Sequence, residues 1–171
     1  MQALRSFLDK LLMTICVVLF IEMTIVGTYQ IVTRYFFNSP STVSEEIVTY
    51  SFTWLSILAA AYVFGKRGHL CMTFLYSKFY GKKKIFLDIF AEILIILTAA
   101  LLLIDGGYEM TVDNFGQLTA SLGISMGLMY AVLPISGVLI CLYGILNLVD
   151  MFKTLSSPDV DNYGRPAQNA N

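Results

Sequence analysis

Four long apolar runs separated by short polar segments set the outline of this chain. They fall at about residues 11–33, 47–64, 85–104 and 128–152. A helix needs about 20 apolar residues to cross the hydrocarbon core of a bilayer. The runs do not alternate polar with apolar positions, as the strands of a membrane barrel would, so helices are the elements they predict. The expected fold is all-α: a polytopic membrane protein with four transmembrane helices over residues 1–155. A polar tail over 156–171, rich in Asn, Asp, Pro and Ser, is expected to be disordered.

The punctuation fits this outline. Asn38-Ser39-Pro40 breaks the chain after the first run, with Pro40 excluding a continuing helix. Gly65 and Gly68 close the second run, Gly81 precedes the third, and Gly106-Gly107 is expected to end it. The segment from His69 to Tyr80 is too short to cross. It mixes Leu70, Met72, Phe74 and Phe79 with Thr73, Ser77 and Lys78, which fits either an interfacial helix lying on the membrane or an ordinary loop.

Charge gives the spans a direction. Of the 11 Lys and Arg residues, all but Arg34 lie in the N-terminal segment, the central loop or the C-terminal tail. The segment between the first two spans has Arg34 alone. The one near residues 105–125 has no base but carries Asp105, Glu109 and Asp113. Cytoplasmic segments are enriched in Lys and Arg near span ends, so both termini are expected on the cytoplasmic side. Composition agrees with a membrane protein: 57% of the 171 residues are hydrophobic, only 13% are charged, and the mean hydropathy is +0.71. Soluble domains are about a quarter charged. The basic residues sit at membrane edges and give no footprint for nucleic acid. Cys16, Cys71 and Cys141 form neither a disulfide framework nor a metal-ligand spacing. The first run is too long for a signal peptide, contains Glu22 and lacks a small-x-small cleavage site, so it is expected to be retained.

Few residues offer chemistry. Glu22 stands near the middle of the first span, where a charge costs ~3 kcal/mol on insertion scales. It reads as a buried polar contact to another helix, or as a proton or ion site. Tyr29 and Thr33 share its face, and Gln30 and Arg34 form the adjacent stripe. Glu45 and Glu46 open the second span, where acids complement the helix dipole and Ser41 or Ser44 can cap it. Arg34, the only base nearby, is expected to bridge to one of the two carboxylates. Thr49, Thr53, Ser56 and Ala60 make a small-residue stripe suited to a helix–helix seam. Trp54 is expected to face a protein surface, because its ring N–H wants a partner. Asp88 and Glu92 open the third span and are expected to pair with nearby bases such as Lys66 or Arg67. Lys82, Lys83 and Lys84 read as contacts to anionic lipid headgroups. No phosphate loop, nucleophile elbow or zinc motif occurs, so neither an enzyme nor a bound cofactor is expected.

Several short motifs occur in a telling order. Arg34-Tyr35-Phe36-Phe37-Asn38-Ser39-Pro40 is followed by Ser44-Glu45-Glu46, Trp54-Leu55 and Lys66-Arg67-Gly68-His69-Leu70. Later come Ser125 to Tyr130 and Pro134-Ile135-Ser136-Gly137. From about residue 5 to residue 150 this resembles the small membrane subunit of tripartite ATP-independent periplasmic (TRAP) transporters, of the DctQ type. The chain departs from that pattern at Val43, where the family often has Trp, and near Ala59 and Thr73. The resemblance implies an inner-membrane subunit that pairs one-to-one with a large polytopic transport subunit. A periplasmic binding protein would deliver the substrate. It further implies sodium-driven uptake of an organic acid, such as a dicarboxylate or sialic acid, with this chain as the membrane scaffold. The matching positions Arg34, Glu45, Glu46, Trp54, Arg67 and His69, with Glu22 and Gln30, are then expected at the partner interface. The competing expectation is a self-sufficient four-helix proton-coupled exporter that uses Glu22. Four spans with no paired, interrupted helices do not look like a complete secondary transporter.

Overall fold

The computed structural model describes residues 2–66 and 82–156. Among them, four helical stretches are long and apolar enough to cross a membrane: Leu4–Phe36, Thr42–Gly65, Lys84–Asp113 and Met126–Leu155. The first is one helix, α1 (Gln2–Phe36), and the second is α2 (Thr42–Gly65). The third comprises α3 (Lys82–Thr98), a π-helical segment (Ala99–Asp105) and α4 (Gly106–Asp113). The fourth comprises α5 (Met126–Tyr130) and α6 (Val132–Leu155). No strand occurs among the described residues beyond one isolated bridge between Leu118 and Ser125. The all-α, four-span reading of the sequence is therefore correct. The segment proposed as an interfacial helix, and the tail beyond residue 156, lie outside the described residues.

The helix ends follow local chemistry. α1 closes with Asn38 in the left-handed region, φ 50°, and with the Ser39 N–H donating to the Thr33 carbonyl at 3.1 Å. The reversal satisfies one of the carbonyls that a helix end leaves open, and Asn tolerates the left-handed position that it needs. Ser41 caps α2 in extended backbone geometry, its hydroxyl oxygen accepting from the Ser44 N–H at 3.3 Å. The break between α5 and α6 lies just before Pro134, whose missing N–H cannot donate to the preceding turn.

One boundary differs from the sequence expectation. Gly106-Gly107 does not end the third span. The helix passes through both glycines to Asp113, after the π-helical segment in which the Gly106 N–H reaches back five residues to the Leu101 carbonyl. Gly107 is needed for packing: a Cβ there would lie 2.8 Å from Leu133 Cβ and 3.0 Å from Pro134 Cδ. In a membrane helix a glycine of this kind permits close approach of a neighbour.

α6 is the hub. It packs against α2, α3 and the π-helical segment, while α1 packs chiefly on α2. One core cluster joins Leu8 and Leu12 of α1, Leu58 of α2, and Val132 and Tyr143 of α6. A second joins Ala61, Ala99 and Ile140. Small residues on α6 make these approaches possible. A Cβ on Gly137 would meet Ile104 Cγ1 at 2.8 Å, and one on Gly144 would meet Ile96 Cγ1 at 2.5 Å.

Candidate functional site

Two polar assemblies hold the bundle, one at each end. The first lies at the end that carries the start of α1 and the close of α6. Arg5 donates through Nη1 to Asp150 Oδ2 at 3.2 Å and through Nη2 to the Gly65 carbonyl at 2.8 Å. The same Nη2 also donates to Asn147 Oδ1. Asn147 is fully buried, and its Nδ2 donates to Glu92 Oε1 at 2.8 Å. One turn before Asn147, the Tyr143 hydroxyl donates to Asp9 Oδ1 at 2.7 Å. A continuous chain of hydrogen bonds thus joins α1, the last carbonyl of α2, α3 and α6.

The sequence places these groups for physical reasons. Arg5 and Asp9 are one helical turn apart and share a face. The Gly65 carbonyl is one of the terminal acceptors that a helix leaves unsatisfied, and a guanidinium complements that end of the dipole. Gly65 also makes room for Tyr143, whose ring carbon Cδ1 would lie 2.6 Å from an added Cβ. Glu92 is buried, and a buried carboxylate needs a donor. It finds the Asn147 amide, while Lys66, one of the two bases expected beside it, lies over the Tyr62 ring; Arg67, the other, is outside the described residues. Nothing in the apolar pattern of the fourth span announced this role. The signal that could have found it is Asn147 itself, a strong amide set in an otherwise apolar helix.

The second assembly lies at the opposite end, where α1 turns into α2. Glu46 Oε2 accepts two backbone hydrogen bonds, from the Ser121 and Leu122 N–H groups, each at 2.8 Å. Its Oε1 accepts from the Tyr50 hydroxyl at 3.1 Å. The loop it holds is compact. Thr119 N–H donates to the Ile124 carbonyl at 2.8 Å, Met126 N–H to the Gln117 carbonyl at 2.8 Å, and the Ser125 hydroxyl to the Phe115 carbonyl at 2.7 Å. Gly123 supplies the reversal at φ 65°. Glu46 therefore clamps the segment that leads into the fourth span. The expected bridge from Arg34 to Glu45 or Glu46 does not form: the Glu46 carboxylate is taken up by the loop, and Arg34 is exposed in the last turn of α1.

The other sequence candidates are dispersed. Glu22 is half-buried on α1. Its Oε2 is the one buried side-chain oxygen without a hydrogen-bond partner among the described residues. It borders an apolar groove lined by Val18, Ile21, Ile25 and Val26. Gln30 is half-buried and Glu45 exposed. Trp54 is half-buried and packs inward on the core shared by α1, α2 and α6, so its main contact is within the chain. Thr49, Thr53, Ser56 and Ala60 all face outward, and the Thr49 and Thr53 hydroxyls donate back to the helix at 2.8 and 2.9 Å. The stripe is not a seam within this chain. Lys82, Lys83 and Lys84 open α3. Arg67 and His69 lie outside the described residues.

These assemblies bring charges together as paired or hydrogen-bonded groups, the arrangement of fixed joints in a bundle. The family model described as "Tripartite ATP-independent periplasmic transporters, DctQ component" matches residues 23–154. A Haemophilus influenzae protein described as "Putative TRAP transporter small permease protein" is 28% identical over 152 residues, covering 87% of this chain and 92% of that protein. The sialic acid TRAP transporter small permease protein SiaQ of Vibrio cholerae is 26% identical over 155 residues, covering 91% of this chain and 89% of that protein.

Proposed function

We propose a function from one premise: the chain belongs to the DctQ component family of tripartite ATP-independent periplasmic transporters. It is the small membrane subunit of such a transporter, and it serves as the fixed part of the membrane assembly. Its partner is a large polytopic subunit, bound one-to-one, which carries the transport path. A periplasmic binding protein delivers the cargo. The assembly sits in the bacterial inner membrane, with both termini of this chain cytoplasmic, as the distribution of Lys and Arg favours.

The observation that carries the scaffold role is the pair of polar clamps. Arg5, Asn147, Glu92 and Asp150 tie the helices at one end, and Glu46 ties the loop at the other. A bundle fastened at both ends is suited to stay still while a neighbour moves. Its outer faces offer contact for that neighbour: the Thr49, Thr53, Ser56 and Ala60 stripe of α2, and the α1 flank around Glu22, Gln30 and Arg34. Glu45, Arg67 and His69 complete the expected interface, whereas Trp54 packs inward.

The cargo we propose is an organic acid taken up with sodium. One similar protein is named for sialic acid, and that class is the first to test. Family membership does not favour the self-sufficient exporter built on Glu22. The test is co-expression with a large TRAP membrane subunit from the same organism, followed by purification and reconstitution. A stable one-to-one complex is expected, with uptake of acid that is lost when this chain is omitted. Full uptake by the large subunit alone, with no complex recovered, would overturn the proposal.

A further inference from the structure

We propose that the cleft between the first turns of α1 and the close of α2 binds the phosphate of one anionic phospholipid, whose acyl chains lie along α1. The cleft has a volume of about 370 Å³. Its polar wall is formed by Arg5, Ser6, Asp9 and Lys10 from α1, with Tyr62 and Lys66 from α2.

The charges facing it are unequally committed. Arg5 is held by Asp150, Asn147 and the Gly65 carbonyl, and Asp9 accepts from Tyr143. Lys66 is exposed and stacks over the Tyr62 ring, with Nζ 4.5 Å from the centroid. That contact fixes the direction of an otherwise flexible side chain. Lys10 is exposed on α1 and makes no ion pair among the described residues. With Arg5 offset by Asp150, the two lysines against Asp9 leave one positive charge, which matches a monoanionic phosphodiester.

The shape distinguishes a lipid from a free phosphate. On a helix, positions three and four apart share a face. Ser6, Lys10, Met13, Val17 and Phe20 therefore form one stripe that begins polar at the cleft and turns apolar toward the middle of the span. Met13 lines the cleft, and Met13, Val17 and Phe20 are all exposed. A headgroup at Lys10 and Lys66 would place its acyl chains on this apolar continuation. Basic pockets at the membrane edge are suited to anionic headgroups.

The experiment is native mass spectrometry of the full chain in detergent. The added probes are dioleoyl phosphatidylglycerol, dioleoyl phosphatidylcholine, or glycerol 3-phosphate as the headgroup without chains. One phosphatidylglycerol should be retained, with phosphatidylcholine held about tenfold more weakly and glycerol 3-phosphate not held at the same concentration. The Lys10→Gln, Lys66→Gln double variant should lose about tenfold in phosphatidylglycerol retention. The Lys10→Arg, Lys66→Arg variant should keep it, and helical content by circular dichroism checks that both variants are folded. Equal retention of the two lipids, no loss in the Gln pair, or a loss in the Arg pair as large as in the Gln pair would overturn the proposal. Glycerol 3-phosphate bound as tightly as the lipid would assign the cleft to a soluble phosphate and overturn it as well.

Discussion

Within the most apolar window of the first span, Leu4–Phe36, 6% of the residues are buried; in the corresponding window of the last, Met126–Leu155, 39% are. Both windows are apolar enough to insert, so hydropathy alone does not separate them. In lipid, apolar character drives insertion but does not drive one helix against another. The residues that distinguish α6 are its small and polar ones. Ser136, Gly137, Gly144 and Asn147 are all buried: the two glycines let a neighbour come close, Asn147 donates to Glu92 of α3, and the Ser136 hydroxyl donates back to Leu133 of its own helix. α1 instead presents Phe7, Val18, Ile21 and Ile25 to its surroundings. The contrast shows which span holds the bundle together and which is available to lipid or a partner.

The sharpest way to break this contrast is at Asn147. Replacing it with Leu leaves the Glu92 carboxylate and the Arg5 guanidinium without their shared partner. Breaking a buried charged network by removing one member costs about 3–5 kcal/mol, and the lower part of that range is expected here because Arg5 keeps Asp150. Unfolding in graded sodium dodecyl sulfate, followed by circular dichroism, measures it. A midpoint equal to that of the parent would mean that the network does not hold the helices.

Next in size are matched glycine substitutions. Gly137→Leu forces a side chain against Ile104 and Leu103 and should cost about 1–3 kcal/mol by overpacking. Gly27→Leu on α1 meets nothing within 4 Å and should change stability by no more than ~0.5 kcal/mol. Equal losses at the two sites in the same assay would erase the distinction between hub and periphery.

A smaller effect of opposite sign is expected at Glu22. Its unpartnered oxygen is a cost to the isolated chain, so Glu22→Leu should stabilise that chain by about 1 kcal/mol or more. If the large subunit supplies a donor there, the same variant weakens the complex while it stabilises the free subunit, which sharpens the reading of α1 as the outward face. The most local effect belongs to Glu46. Glu46→Ala should speed hydrogen exchange at the Ser121 and Leu122 amides and leave α6 amides protected, since the loop is clamped separately from the hub. Equal deprotection along α6 would show that the loop and the last span are one cooperative unit.

The sequence carried the four crossings, the break at Asn38-Ser39-Pro40 and a serine cap on α2, left open between Ser41 and Ser44, because these follow from local hydropathy and turn chemistry. It did not carry the contacts that depend on distant backbone. Glu46 was legible as an acid at a helix start. That two loop N–H groups 75 and 76 residues away would claim it was not, since backbone donors leave no mark in a sequence. Arg5 read only as one of the bases of the N-terminal segment, and only the fold brings it to 3.2 Å from Asp150. The glycines of the third span misled for a related reason. In water Gly106-Gly107 would read as a helix end, whereas here Gly107 is the surface on which Leu133 and Pro134 rest.

The π-helical segment Ala99–Asp105 has a consequence for anyone mapping the third crossing. Its wider turn, with Gly106 bonded five residues back, resets the angular phase of every side chain beyond it. Labels chosen to follow one face of an ideal α-helix from residue 84 onward would therefore leave that face beyond the segment. An accessibility scan fitted to a single helical wave would assign the wrong azimuth to the half nearest the Glu46 loop.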